Sequence, residues 1–125
     1  MNTTRIFQAA ALLGALAVAL GAFGAHALRD TLAHNQRIDT YELAVRYQFY
    51  HVFALALTAI LSAHYYPKRL YAAAWLFIAG ILLFSGSLYV LSLTGIRQAA
   101  WFTPFGGASL IAGWLALFSA LNKKN

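Results

Sequence analysis

Four stretches of this chain contain no Asp, Glu, Lys or Arg: Ile6–Leu28, Tyr47–Pro67, Leu70–Ile96 and Gln98–Asn122, each 21 to 27 residues long. A helix rises about 1.5 Å per residue, so roughly 20 apolar residues cover the hydrocarbon of a bilayer. A charge at the middle of a span costs roughly 2.5–3.5 kcal/mol even on the lenient insertion scale, so spacing of this kind suits membrane helices. The pattern predicts an all-α fold: an integral membrane, four-transmembrane-helix antiparallel bundle. Its spans run over about Ile6–Leu28, Thr40–Tyr65, Leu70–Leu93 and Phe105–Leu121, in a single transmembrane domain covering residues 1–125.

Composition agrees. Of 125 residues, 62% are hydrophobic and 10% charged, against roughly 25% charged in a soluble domain. Four spans consume roughly 80 residues, leaving loops and tails but no soluble domain. That excludes a soluble enzyme, a disordered tail and a disulfide-stapled secreted module. The chain has no cysteine, so it offers no disulfide, thiolate nucleophile, iron–sulfur ligand or thiolate zinc site. The formal charge is +6. Its basic residues stand singly or in pairs (Lys68–Arg69, Lys123–Lys124) at the ends of apolar runs. A nucleic-acid surface would gather them on one face with polar or aromatic readers between them, so no nucleic-acid partner is expected.

Local signals set the boundaries. Asp39 and Glu42 form an Asp-x-x-Glu pattern that reads as a capping box starting the second helix. Pro67 reads as the stop of that helix, with Lys68 and Arg69 in a tight turn. Thr94–Gly95 closes the third helix, and Thr103–Pro104 opens the fourth, since proline suits a first turn. The polar segment Arg29–Ile38 has room for an interfacial helical turn. Arg5, Lys68, Arg69, Lys123 and Lys124 lie on one side of the membrane. Arg29, Arg37, Arg97, the helix-edge Arg46 and all three acids lie on the other. Positive charge prefers the cytoplasm, so both termini are expected inside. A competing reading makes the first span a signal peptide cut after Ala25-His26-Ala27, but its apolar run of about 20 residues exceeds the usual 7–15.

Each span carries a stripe at spacings of three and four. Ala10, Gly14, Ala17, Gly21 and Gly24 mark the first; Ala73, Gly80 and Ser87 mark the third; Gly106, Ser109, Gly113, Ala116 and Ala120 mark the fourth. Lipid tails are as apolar as leucine, so small residues that permit close backbone approach mark helix contacts. Gly14, Gly21, Gly24, Gly80, Gly106 and Gly113 are the expected packing glycines. The second helix differs, with Ala44, Gln48, His51, Leu55, Thr58 and Ser62 on one face. Those polar groups need partners, so this face should point inward.

Counting helical rise from the cytoplasmic ends puts His26, Gln48, Ser87 and Tyr89 in the outer half, with His51 deeper. Two readings stand. His26, Gln48, His51, Ser85, Ser87 and Tyr89 either line a polar pocket opening outward or hydrogen-bond the helices together. Arg46 has its own expected partner in Glu42, one turn back. Haem ligation by His26 and His51 is disfavoured, because their depths differ by about 10 Å on the same rise. Zinc lacks a carboxylate beside either histidine. No phosphate loop, H-E-x-x-H or G-x-S-x-G is present, so no catalytic, cofactor or metal site is assigned.

Four motifs occur in order: GAFGAHAL (Gly21–Leu28), AVRYQFYH (Ala44–His51), FSGSLYVLSLTG (Phe84–Gly95) and TPFGGASLIAGW (Thr103–Trp114). With them the chain resembles the YgdD-like family of small bacterial inner-membrane proteins, a domain-of-unknown-function family with animal relatives. The resemblance covers nearly the whole chain. It implies four spans in the bacterial plasma membrane with the first retained, and it supplies no reaction, substrate or cofactor. The positions matching the family pattern are Gly21, Gly24, His26, Tyr47, Gln48, His51, Ser85, Gly86, Ser87, Tyr89, Thr103, Pro104 and Gly107.

The leading expectation is a non-enzymatic multi-pass membrane protein serving membrane organisation or an assembly. Its partners would be the lipid bilayer and either a second copy or another membrane protein. The alternative is a small transporter or binding protein for a polar or amphiphilic molecule, using the outer pocket. An enzyme with His26 or His51 as general base stands behind both, because no nucleophile or metal site accompanies them.

Overall fold

A computed structural model describes residues 1–122 and contains only helices and turns among them. In chain order these are α1 (Thr3–Ala25), α2 (Arg29–His34), α3 (Ile38–Leu61), α4 (Pro67–Thr94), a 3-10 helix (Arg97–Trp101) and α5 (Thr103–Ala120). Four helices are long and apolar enough to cross a membrane: α1, α3, α4, and α5 together with the 3-10 helix that leads into it. Large apolar side chains, among them Leu12, Phe53, Trp75 and Phe118, point away from the protein. In water that exposure would be costly; in a bilayer it meets hydrocarbon.

The helix ends show which local signals prevail. The Asn2 side chain caps α1 by accepting from the Arg5 N–H at 2.9 Å. The polar segment after α1 forms the short α2, and Gln36 then takes a left-handed backbone (φ 55°) to reverse the chain. Asp39 and Glu42 do not form the expected capping box. Helix α3 begins earlier, at Ile38, with Arg37 at its N-cap and no side-chain cap bond, so Asp39 sits inside the first turn. Glu42 meets Arg29 of α2 at 3.7 Å, and makes no salt bridge to Arg46. Pro67 also acts otherwise than expected. It opens α4 rather than closing α3, because its missing N–H costs nothing in a first turn. Lys68 and Arg69 therefore belong to α4, and the turn is made by residues 62–66. Gly95, at φ 71°, closes α4 in the left-handed conformation that glycine adopts without strain. Pro104 lies in the first turn of α5.

The long helices pack in chain order, α1 on α3, α3 on α4 and α4 on α5, with no extensive contact between α1 and α5. Helices α3 and α4 are the central pair. The larger of two core clusters takes Ile6 and Ala10 from α1, Leu55 and Ala59 from α3, Phe77 and Ile81 from α4, and Leu110 and Leu117 from α5; Ala44, Leu88 and Leu91 form the smaller one. Thr3 and Ser62 share a hydrogen bond of 2.6 Å, and the Arg69 guanidinium donates to the Ser119 carbonyl at 2.8 Å. These bonds tie the start of α1, the α3–α4 turn and the end of α5 into one end of the assembly. Lys123 and Lys124 lie outside the described residues.

The glycines differ in how tightly they are packed. A Cβ on Gly106 would strike the backbone of Leu83 and Phe84, so α4 and α5 touch there main chain to main chain. Gly80 receives Leu110, Gly113 receives the Phe77 ring at 2.8 Å from a notional Cβ, and Gly24 receives the Tyr41 ring. Gly14 and Gly21 face only Val52 and Val45, at 3.4 and 3.5 Å, with room for a methyl group. Gly106→Ala should therefore destabilise the protein in detergent by about 1–3 kcal/mol, the usual cost of overpacking. Gly14→Ala should stay within about 0.5 kcal/mol of the parent. Melting temperatures of the two purified variants check the contrast.

Candidate functional site: the interhelical polar layer

The polar face of α3 is turned inward along its whole length: Ala44, Gln48, His51, Leu55, Thr58 and Ser62 are all buried. Spacings of three and four keep them in one stripe, and Tyr41, buried one turn earlier, extends it. Gln48 is the junction. Its Nε2 donates to the Leu13 carbonyl of α1 at 2.8 Å, and its Oε1 accepts from the Tyr89 hydroxyl of α4 at 2.6 Å. Side chains lean toward the N-terminus of their own helix. Because α3 and α4 run in opposite directions, Gln48 and Tyr89 lean toward each other. The Tyr89 ring lies edge-on to Tyr41 at 5.2 Å, and the Tyr41 hydroxyl donates to the Leu20 carbonyl of α1. A single connected group thus joins α1, α3 and α4.

Ser85 adds a second α4–α3 link, donating to the Ala44 carbonyl at 2.7 Å. Ser87 bonds Thr103 at the start of α5 at 2.6 Å and also reaches the Phe84 carbonyl. Deeper in the assembly, His51 meets Tyr47 and Trp114. The Trp114 indole N–H donates to His51 Nε2 at 3.1 Å, which makes Nε2 the acceptor and places the proton on Nδ1. Nδ1 then donates to the Tyr47 carbonyl at 2.7 Å. Both ring nitrogens are occupied, and Phe77 and Trp114 flank the ring at centroid distances of 5.9 and 6.0 Å.

His26 is not part of this layer. It is the exposed C-cap residue of α1, and its ring has no hydrogen-bond partner among the described residues. Helical rise alone would set it level with Tyr89, but α1 ends at Ala25 and the His26 backbone leaves the helix (φ −123°, ψ −86°). The remaining five candidates fall into three groups: Gln48 with Tyr89, Ser85 with Ala44, and His51 and Ser87 each bonded to α5. His51 borders a groove of about 640 Å³ between α3 and α5, whereas Ser87 borders another of about 610 Å³ beside the 3-10 helix. Among the described residues no three His, Asp or Glu side chains converge.

Three participants do not stand out in the sequence as site residues. Tyr41 has a signal, since it continues the α3 stripe by one turn. Trp114 has a weaker one: an indole N–H within a span needs an acceptor. Asn35 has none. Its amide donates to the Ser92 and Leu93 carbonyls at 3.0 and 3.3 Å, pinning α2 to the end of α4.

Comparison with known proteins places the chain. A family described as "Protein of unknown function (DUF423)" matches residues 20–107, which include Gln48, His51 and Tyr89. The chain belongs to this family. Among its relatives, a UPF0382 membrane protein of Staphylococcus aureus is 41% identical over 116 residues, covering 90% of this chain and 93% of its own. The UPF0382 membrane protein YwdK of Bacillus subtilis is 39% identical over 86% of this chain and 88% of its own. The UPF0382 inner membrane protein YgdD of Escherichia coli is 38% identical over 92% of this chain and 88% of its own. No solved structure matches. The resemblance to the YgdD-like family is thereby established, and this DUF423 member is a membrane protein.

The Gln48–Tyr89 bond should show in a double-mutant cycle. Gln48→Ala and Tyr89→Phe should each lower stability in detergent, and the double variant should lose less than their sum. The coupling should be about 0.6–1.7 kcal/mol, the range for interhelical hydrogen bonds in membrane proteins. Strict additivity would show that the two side chains do not share a bond.

Proposed function

We propose that this protein is a non-enzymatic, multi-pass protein of the bacterial plasma membrane that serves membrane organisation or docks a membrane-protein partner, with both termini in the cytoplasm. One observation carries the reading: the polar groups inside the assembly are used up within it. Gln48, His51, Ser85, Ser87 and Tyr89 all bond to other protein atoms, and no buried side-chain N or O among the described residues lacks a partner. For this layer to form a substrate pocket or hold a general base, a donor or acceptor within it would have to face empty space. The His51 ring nitrogens are instead held by Trp114 and Tyr47. The surfaces left for interaction are the lipid-facing grooves and the helix faces themselves.

The orientation rests on charge. Arg5, Lys68 and Arg69 lie at the end that holds the start of α1 and the α3–α4 turn, whereas Arg29, Arg37, Arg46 and Arg97 share the other end with all three acids. In the sequence Lys123 and Lys124 follow α5, and counting them with Arg5, Lys68 and Arg69 gives that side the larger number of basic residues and the cytoplasmic preference. A fluorescent reporter fused after Asn125 should be bright and alkaline phosphatase at the same position silent; the opposite result would invert the topology.

In a strain lacking the gene, His51→Ala and Gln48→Ala should restore function in proportion to the folded protein each leaves in the membrane. Complementation assays run beside membrane abundance measure this. A variant that is abundant yet inactive would put chemistry in the polar layer and overturn the non-enzymatic reading.

A further inference from the structure

At the end of the assembly opposite the start of α1, a half-open groove of about 390 Å³ lies between α1, α2 and α3. We propose that this groove is a binding site for an anionic glycerophospholipid, with the lipid phosphodiester held by Arg29 and Arg46 and an acyl chain running down past Gly21, Val45 and Phe49. The inference goes beyond the function proposed above and does not depend on it.

The wall of the groove changes character with depth in the way an amphiphile does. Arg29 lies in α2, outside the spans, where headgroups lie. Arg46 sits eight residues inside α3, a rise of about 12 Å from Ile38. Phe49 lies about a further turn down, at hydrocarbon depth. The lining is mostly apolar with a small polar portion. Gly21 keeps the α1 side recessed: it faces Val45 across ordinary contact distance, and no large side chain fills the notch as Tyr41 fills the one at Gly24.

Charge selects the occupant. Three ionic side chains line the groove, Arg29, Arg46 and Glu42. Glu42 is engaged by Arg29 at 3.7 Å, and Arg46 has no salt-bridge partner among the described residues. The groove therefore carries a net charge of +1 where a guanidinium enters the span. Arginine near a membrane interface needs a counter-ion or must snorkel to one. A phosphodiester suits a guanidinium's planar donors and matches the surplus charge. The net negative charge of phosphatidylglycerol complements this surplus, whereas the ammonium of phosphatidylethanolamine cancels the charge of its own phosphate.

The test uses the full-length protein, purified in mild detergent and titrated separately with phosphatidylglycerol, with phosphatidylethanolamine of the same chains and with inorganic phosphate. Native mass spectrometry reads the bound lipid, and thermal melting reads stabilisation. Phosphatidylglycerol should bind in preference to phosphatidylethanolamine. Arg46→Gln should weaken it by roughly tenfold, the loss of one charge-assisted contact. Arg46 holds no salt-bridge partner, so the variant should melt like the parent without added lipid; Arg29→Gln, outside the spans, repeats the test at the other guanidinium. Arg97→Gln, a charge outside the groove, should leave binding unchanged. Equal binding of the two lipids, or undiminished binding by both groove variants, would overturn the proposal. So would equal stabilisation by inorganic phosphate alone, which would make the site one for a free anion. A dimer masking the groove in place of bound lipid would assign it to a second copy and overturn the lipid as well.

Discussion

Hydrocarbon offers no hydrogen bonds, and that absence governs the interior of this protein. A polar side chain within a span must be answered by another protein group or leave the membrane. Gln48 meets the demand most fully, since its amide reaches α1 with its nitrogen and α4 with its oxygen. Each such bond is worth only about 0.6 kcal/mol on average in membrane proteins, so its role is geometric as much as energetic. It fixes the rotation of three helices relative to one another. The lean of side chains toward helix N-termini makes the bond available only because neighbouring helices are antiparallel.

Apolar packing solves a related problem, that of joining helices when lipid competes equally for their surfaces. The solution repeats along the assembly: a glycine on one helix leaves a notch and a large side chain from the next fills it. Leu110 enters at Gly80, Phe77 at Gly113 and Tyr41 at Gly24. At Gly106 the backbones of α5 and α4 meet directly. Dispersion attraction between surfaces fitted in this way has no equal in fluid lipid, whose chains do not fill the notches. Gly21 is the instructive departure. Val45 only approaches it, a groove remains, and Arg46 stands one residue further along without a salt-bridge partner among the described residues. Where the protein does not complete its own packing and charge balance, the bilayer is the material available to complete them.

The four long apolar helices and the inward face of α3 were legible in the sequence, because each depends on a one-dimensional pattern. Charges interrupt spans, and spacings of three and four draw a face on any helix, whatever surrounds it. Gly95 and Pro104 were legible for the same reason, since their backbone preferences are local. Capping and ion pairing at the α2–α3 junction were not. Asp39 and Glu42 have the spacing of a capping box, but Arg29 of a separate helix holds Glu42 instead. Pro67 suits either the end of one helix or the start of the next, and the chain reversal decided in favour of the start.

The polar layer shows the same division. Residue type and spacing put Gln48, His51, Ser85, Ser87 and Tyr89 on apolar helices, where their polar groups require partners. Their identities came from the fold: Leu13 and Tyr89 for Gln48, Trp114 and Tyr47 for His51, Ala44 for Ser85 and Thr103 for Ser87. His26 left the group because α1 stops one residue before it. Hydropathy and periodicity describe how deep a residue sits and which side of its own helix it occupies. Which neighbour it meets depends on the rotation, tilt and close approach of helices distant in sequence, which the packing of the four long helices fixes.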